Sequence, residues 1–260
     1  MERDAAQATK PGWEDLILYY ESDTAAYGGH FTLARQLTER AADVAVRTDK
    51  KEAVAGYEAE AAVREALAGN VRLAKQQATR ALAVSDDRDV TAMSALALAL
   101  GGDLPRATRL GEGLGKRFPK DTVARYNLLP VVQAGIALHG GEADKAIEDL
   151  AMAGRYEMAQ TAEDVNFVLY PIYLRGEAYL AAKQGTAAGT EFQKILAHPG
   201  LVQNELIGAL AHLELGRAYG MSHETEKAKA AYQDFFAPWN DADPDLPVFK
   251  QARMEYAKLR

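Results

Sequence analysis

Three aspartates stand two residues apart near the end of the chain, in the string WNDADPDLP. They are Asp241, Asp243 and Asp245. A calcium-binding loop begins with this spacing, but it also needs glycine at its sixth position and glutamate at its twelfth. Those positions hold Leu246 and Ala252 here. The string therefore predicts no metal site, and we interpret it as a break before a final helix that Asp245 caps and Pro247 begins.

The residue types that most often perform catalysis form no recognisable motif in this sequence. None of the five histidines belongs to a His-Glu-x-x-His zinc motif. They are His30, His139, His198, His212 and His223. There is no cysteine for a thiolate nucleophile, and no Gly-x-Ser-x-Gly turn for an activated serine. We therefore predict that the chain is not an enzyme and that it uses no cofactor.

The charge balance and the apolar runs argue against two further classes of function. The chain has 260 residues, of which 37 are acidic and 30 basic, and no block of lysine and arginine could neutralise a run of phosphates. No uncharged run reaches the roughly 20 residues that a membrane-spanning helix needs. We expect neither nucleic-acid binding nor membrane insertion by this segment. A cytoplasmic location is slightly favoured, and an extracytoplasmic one requires a membrane span in the parent protein.

A repeating frame runs through the chain, and an alanine marks each of its six units. The anchors, spaced by 33 to 42 residues, are Ala34, Ala74, Ala107, Ala146, Ala188 and Ala228. Twelve residues before them stand the small residues Ser22, Ala62, Ala95, Ala134, Gly176 and Gly216. Seven residues after them stand the apolar residues Ala41, Ala81, Leu114, Ala153, Ile195 and Phe235. Because small side chains let two helices cross closely, each unit predicts a helix pair.

A glycine marks the turn between the two helices of a unit. It lies five residues before the anchor in the first four units, at Gly29, Gly69, Gly102 and Gly141. Glycine adopts the positive φ that ends many helices at no steric cost. In the last two units the nearby glycines are Gly185 and Gly220, so we expect the turn to be displaced there. Since sustained two-residue alternation of β-branched residues is almost absent, we predict an all-α fold.

This frame resembles the tetratricopeptide repeat, a helix-turn-helix unit of about 34 residues. The likeness is strongest in YLRGEAYLAAKQGTAAGTEFQKIL, residues 173–196. The residues that fit the repeat signature there are Gly176, Tyr179, Ala188 and Phe192. The resemblance implies a right-handed α-solenoid of about six repeats over residues 13–246, followed by a C-terminal capping helix over residues 247–260. Residues 1–12 then correspond to the tail of an upstream repeat helix.

A narrower resemblance rests on KPGWEDLILYYESDTAAYGGHFTLARQLTERA, residues 10–41, and on KAKAAYQDFFAPWNDADPDLPVFKQARMEYAKL, residues 227–259. These strings resemble the C-terminal repeat region of bacterial proteins that carry a eukaryotic-type serine/threonine kinase domain, or sometimes a winged-helix DNA-binding domain. No kinase signature is present in this chain. The resemblance implies a regulatory part of a larger signalling protein, in which any catalysis belongs to an N-terminal domain outside this sequence.

The inner wall of such a solenoid is the candidate site, because concave walls of stacked helix pairs bind peptides. The residues predicted to line it are Tyr19, Asp23, Tyr27, Leu128, Val131, Tyr170, Tyr173, Glu177, Leu213 and Arg217. Tyrosines suit recognition, since a ring offers contact area at low entropic cost and its hydroxyl still forms hydrogen bonds. We predict a scaffold that binds a partner protein or peptide. The alternatives are a self-association module that forms homodimers, and a small-ligand sensor, which requires a deep pocket with convergent polar groups.

Overall fold

The computed structural model describes residues 12–159 and 167–259, and within them the chain is entirely helical, with no strand. The predicted all-α class is therefore confirmed. Of the predicted upstream tail, residues 1–11 lie outside the described residues. The first eight helices are α1 Glu14–Tyr27, α2 Phe31–Arg47, α3 Lys51–Leu67, α4 Val71–Val84, α5 Arg88–Leu100, α6 Leu104–Arg117, α7 Leu129–His139 and α8 Ala143–Ala151. The others are α9 Tyr170–Ala181, α10 Gly185–Leu196, α11 Pro199–Val202, α12 Leu206–Met221, α13 Thr225–Phe236 and α14 Pro247–Ala257.

Most of these helices pack as consecutive pairs, in the order that the repeating frame predicts. The pairs are α1 with α2, α3 with α4, α5 with α6, α7 with α8, α9 with α10, and α12 with α13. The first helices from α3 to α12 also contact one another in succession, which places them side by side. A π-helical turn, Ala124–Leu128, leads into α7, and the short helix α11 separates the last two pairs.

The small residues of the frame lie where the paired helices cross. All six anchor alanines are buried, and so are the small residues twelve positions before them. A Cβ atom added to Gly176 would lie 2.6 Å from the ring of Phe192, and one added to Gly216 would lie 2.7 Å from the ring of Tyr232. Neither glycine can be enlarged without displacing the aromatic ring that packs on it.

The turn between paired helices has the same geometry in every unit. The four glycines five residues before the anchor have φ between 78° and 85°. The displacement expected for the last two units is wrong, because Lys183 (φ 60°) and His223 (φ 62°) take the same frame position. In all six turns the next amide donates to the carbonyl five residues earlier, at 2.8 to 2.9 Å. This 6→1 bond, as in a Schellman motif, fixes the left-handed residue whatever its type.

The row of helix pairs closes on itself, because the last pair contacts the first. Residues 237–246, here called the closing segment, join α13 to α14 and lie against the turn between α1 and α2. Trp239 is fully buried in this contact, and its Nε1 donates to the carbonyl oxygen of Tyr27 at 2.8 Å. The Asp243 amide donates to the carbonyl of Gly29 at 3.0 Å. Helix α12 of the last pair also contacts helix α1 of the first pair directly.

The aspartates of the closing segment belong to this contact. A carboxylate oxygen of Asp243 accepts from the backbone N–H of Thr32 at 2.6 Å and from its hydroxyl at 2.8 Å, so Asp243 caps the start of α2. The expectation that Asp245 caps the final helix is wrong. Leu246 takes the N-cap position of α14, which makes no side-chain cap, and Pro247 begins the helix as predicted.

Candidate functional site

The first helices surround an inner cavity of about 640 Å³ that α14 closes along one side. The last turns of α3, α5, α7 and α9 reach it, through Leu67, Leu100, His139 and Ala181. Helix α12 contributes Leu210, Glu214 and Arg217. From α14 come Pro247, Val248, Gln251 and Glu255, and the wall also includes Tyr173, Glu177 and Leu180 of α9. The cavity is thus bordered by first helices that follow one another along the chain and by the C-terminal helix.

Three carboxyl groups and one guanidinium group meet at one end of this cavity. Glu177, Glu214, Arg217 and Glu255 are here called the Glu214 cluster. Arg217 Nε donates to Glu255 Oε2 at 2.9 Å, and Nη2 donates to Glu255 Oε1 at 3.3 Å. Arg217 Nη1 also donates to Glu214 Oε1. The hydroxyl of Tyr232 donates to Glu255 at 2.9 Å, so the cluster connects α12, α13 and α14. Glu255 and Arg217 are therefore well paired.

The other two carboxyl groups of the Glu214 cluster are not paired in this way. Glu214 is only 3% exposed, and neither its Oε2 nor Glu177 Oε1 accepts a hydrogen bond from a nitrogen or a hydroxyl group of the described residues. The two carboxyl groups lie within hydrogen-bond reach of each other. Burial raises the pKa of Glu177, and burial together with the nearby Glu177 raises the pKa of Glu214 well above its ordinary value. A proton shared between them is the state that this environment favours.

A second polar cluster joins α1, α3, the start of α9 and the residue before α12. The Arg64 cluster consists of Asp23, Glu60, Arg64, Tyr170 and Glu205. Arg64 is 3% exposed and donates to Asp23, to Ser22 Oγ at 3.0 Å and to Thr38 Oγ1 at 3.0 Å. Burial raises the pKa of Asp23 to about 6 and that of Glu60 to about 7. Burial and the neighbouring carboxyl groups raise the pKa of Glu205 well above its ordinary value. One guanidinium cannot neutralise three carboxylates, so protonation is favoured here too.

The structure places the predicted inner-wall residues in several different surroundings. Tyr173, Glu177 and Arg217 meet at the inner cavity. Asp23 and Tyr170 belong to the Arg64 cluster, while Tyr19 is buried and stacks on Tyr57 with ring centroids 4.7 Å apart. Tyr27, which is partly buried, contacts the closing segment through its carbonyl and would meet any Cβ placed at Gly208. The members buried in the core, with exposures of 1% or less, are Leu128, Val131 and Leu213.

Several polar residues of both clusters were not predicted from the sequence. They are Glu60, Arg64, Glu205, Glu214 and Glu255. A signal exists in two helices. The only charged residues of the apolar helix α12 are Glu214 and Arg217, and α3 has Glu60 between two alanines, four residues before Arg64. A charged residue in an otherwise apolar helix is rarely left unpaired. Glu255 carries no such signal, because α14 has polar residues on its outer face.

Comparison with known proteins does not identify the chain. No family model matches it, and no curated protein is significantly similar to it. Among the described residues, no three histidine or acidic side chains are grouped so as to hold a metal ion. Nor does any helix of residues 12–159 or 167–259 combine the length and apolar character needed to cross a membrane.

Proposed function

We propose that this chain is a protein-interaction module whose six helix pairs form a right-handed α-solenoid of tetratricopeptide type. The buried anchor alanines and the left-handed residue at one frame position in every unit support the repeat assignment. Arrays of this kind present the first helices of their pairs on an inner wall, where extended or helical segments bind. The binding surface is therefore the wall that borders the inner cavity.

The observation that carries the proposal is that the chain's own helix α14 lies against this wall. The Val248 amide donates to the carbonyl oxygen of Ala68 at 3.2 Å, next to the end of α3. Glu255 binds Arg217 of α12 through both carboxylate oxygens. A wall that holds one helix has apolar contacts and polar groups suited to another. A helical segment of a partner protein takes the place of α14, which acts as an internal competitor.

The anchoring of α14 by Phe249 offers a way to test this competition. Phe249 is 7% exposed and packs against Phe236 and Trp239, with ring centroids 6.0 and 5.9 Å apart. Replacing Phe249 by alanine removes these contacts and weakens the hold of α14. A partner can bind only while α14 is away from the wall, so its apparent affinity is proportional to the fraction of time that the wall is open. The F249A chain should therefore capture more partner than the wild-type chain.

Proteins captured from a lysate of the source cells by the wild-type chain, the F249A chain and a triple variant would be identified by mass spectrometry. The triple variant, Tyr173→Ala, Glu177→Ala and Arg217→Ala, should lose the partner while its circular dichroism stays helical. A matched control replaces Arg109, Glu112 and Tyr126, none of which lines the inner cavity, by alanine and should keep the partner. A synthetic peptide of residues 244–259 should compete the partner off.

The competition arm decides the proposal. If the peptide leaves the captured protein bound, the partner does not use the position of α14, and the proposed mode of binding is wrong. If the inner triple variant and the outer control capture equally well, the inner wall is not the binding surface. In the full protein, the partner bound in this way would regulate the kinase or transcriptional domain that the family resemblance implies.

A further inference from the structure

Helix α14 makes polar contacts with the inner wall at both of its ends. Val248 and Glu255 are two helical turns apart and therefore lie on the same face of the helix. At the first end the Val248 amide donates to the carbonyl oxygen of Ala68, and at the other Glu255 meets Arg217. Ala252 lies between them and is fully buried, so its small side chain lets the helix approach its neighbours closely.

Three donors of the wall converge on the carboxylate of Glu255. Arg217 Nε and Nη2 donate at 2.9 and 3.3 Å, and the Tyr232 hydroxyl donates at 2.9 Å. Glu214 accepts from Nη1, the remaining nitrogen of the same guanidinium. Tyr232 is only 3% exposed, so water replaces these bonds poorly. A segment that took the place of α14 without a carboxylate would leave the three donors without an acceptor.

The contact between Glu255 and Arg217 is an ion pair. Burial raises the pKa of Glu255, but the hydrogen bonds and the charge of Arg217 outweigh it and lower the pKa below its ordinary value. Arg217 is the single arginine or lysine among the described residues that line the cavity. A guanidinium matches a carboxylate through two parallel hydrogen bonds, and a neutral amide reproduces this fit only in part. The wall therefore offers one cationic position to a helix that lies along it.

The start of α14 is held by apolar contacts. Pro247 lies against Gly69, where an added Cβ would be 2.9 Å from the proline Cβ. Proline suits the first residue of a helix, because no intrahelical acceptor exists for an N–H there. Two residues later, Phe249 packs against Phe236 and Trp239, with ring centroids 6.0 and 5.9 Å apart. The wall thus receives a proline, an aromatic ring and a carboxylate at fixed positions along one helix.

We infer that the partner segment is an amphipathic helix of the pattern Pro-x-aromatic-x5-Glu, whose carboxylate is held by Arg217 and by the Tyr232 hydroxyl. Helix α14 has this pattern itself, in Pro247, Phe249 and Glu255. This assignment rests on the proposed function, since the segment takes the place of α14, and it adds the chemistry by which the wall recognises that segment.

Fluorescence anisotropy of dye-labelled peptides with the full-length F249A chain, whose own α14 is weakly held, tests the inference. The peptide of residues 244–259 is compared with its Glu255→Gln and Lys250→Gln forms. Glu255→Gln should weaken binding by about tenfold or more, because a hydrogen-bonded ion pair is lost. Lys250→Gln is the matched control, since Lys250 is exposed on the same helix, and it should leave the affinity unchanged.

Two changes in the wall identify the groups that bind the carboxylate, each made in the F249A chain and checked for helicity by circular dichroism. With Arg217→Gln, the unchanged peptide and its Glu255→Gln form should bind equally, which completes a double-mutant cycle. Tyr232→Phe removes the hydroxyl but keeps the ring that packs on Gly216. It should weaken binding of the unchanged peptide roughly threefold and that of the Glu255→Gln form less.

The inference is overturned if the F249A chain binds the unchanged and the Glu255→Gln peptides equally, or if the Arg217→Gln chain still distinguishes them. Either result retains the proposed function, because a helix from outside still takes the place of α14. If neither the F249A chain nor the wild-type chain binds the peptide, α14 cannot be replaced from outside, and the proposed function fails together with the inference. A wild-type chain that dimerises in light scattering, and loses the dimer on Arg217→Gln, would assign the site to α14 of a second copy and overturn the assignment to a partner protein.

Discussion

Raising the pH from about 5 to about 8 should destabilise this protein, because of the Arg64 cluster. Burial raises the pKa of Glu60 to about 7, from an ordinary value of 4.5 in the unfolded chain. A carboxyl group with a raised folded pKa contributes stability below its unfolded pKa and loses it as the pH rises through the folded one. The folded state therefore binds more protons than the unfolded state throughout this window, and the free energy of unfolding must fall.

The size of the effect follows from the same two pKa values. Linkage over this interval gives a loss of roughly 2 to 3 kcal/mol for Glu60 alone, since one pKa unit corresponds to about 1.4 kcal/mol. Asp23, with a pKa raised to about 6, and the Glu214 cluster add to it with the same sign. Glu255, with a lowered pKa, stays ionised in both states and contributes nothing here. His212 opposes the trend, because burial lowers its pKa and its contribution is lost on acidification.

Urea denaturation followed by circular dichroism, at several pH values between about 5 and 8, measures this slope. The Glu60→Gln chain should lose roughly 2 to 3 kcal/mol of this pH dependence, because the amide does not titrate. Glu39→Gln is the matched control, since Glu39 is exposed on α2, and it should keep the full slope. A wild-type free energy of unfolding that is level or rises with pH, or a Glu60→Gln chain with the wild-type slope, would refute the reasoning.

Three further predictions concern stability, and urea denaturation measures each of them. Gly29→Ala should lower the free energy of unfolding by roughly 2 to 5 kcal/mol, because φ is 81° there and the new Cβ would lie 2.5 Å from a methyl group of the closing segment. Gly141→Ala should lower it by only about 1 to 2 kcal/mol, because φ is 78° but the space around it is open. Equal losses would show that the close approach is unimportant. Arg64→Met should lower the free energy of unfolding by about 3 to 5 kcal/mol, since it leaves buried carboxyl groups without their cation. A loss below about 1 kcal/mol would show that Arg64 does not stabilise these carboxyl groups. Lys183→Gly and His223→Gly should each gain about 1 kcal/mol by relieving a left-handed residue, and a loss would argue against that geometry.

The helix pairs could be predicted from the sequence because they depend on neighbours along the chain. Each pair is set by small residues at its crossing and by a left-handed turn five residues before the anchor. The turn position was predicted wrongly in the last two units, because glycine was taken as its marker and the position is held there by Lys183 and His223. The frame position itself was right, since the same 6→1 hydrogen bond closes all six turns.

The cavity was harder to predict because helical phase decides which side chains reach it. Successive residues of an α-helix are rotated by about 100° around its axis. Leu213 was predicted to face the wall and is buried in the core, while the next residue, Glu214, borders the cavity. On the same helix Arg217, three residues beyond Glu214, lines the cavity. A shift of one residue in the assumed helical phase is thus enough to exchange a core leucine for a carboxyl group of the Glu214 cluster.

The closure of the array could not be predicted from any local pattern. Small rotations between successive helix pairs accumulate, and they determine whether the ends of a solenoid meet. Carboxylates cap helix N-termini because a helix N-terminus presents positive charge, but the spacing of the aspartates does not show which helix they cap. The partner is Thr32, 211 residues away in sequence, whose backbone N–H donates to the carboxylate of Asp243. The aspartate string therefore contributes to the contact between the last and the first helix pair. That contact depends on how all the intervening helix pairs are arranged, which no local pattern of the sequence shows.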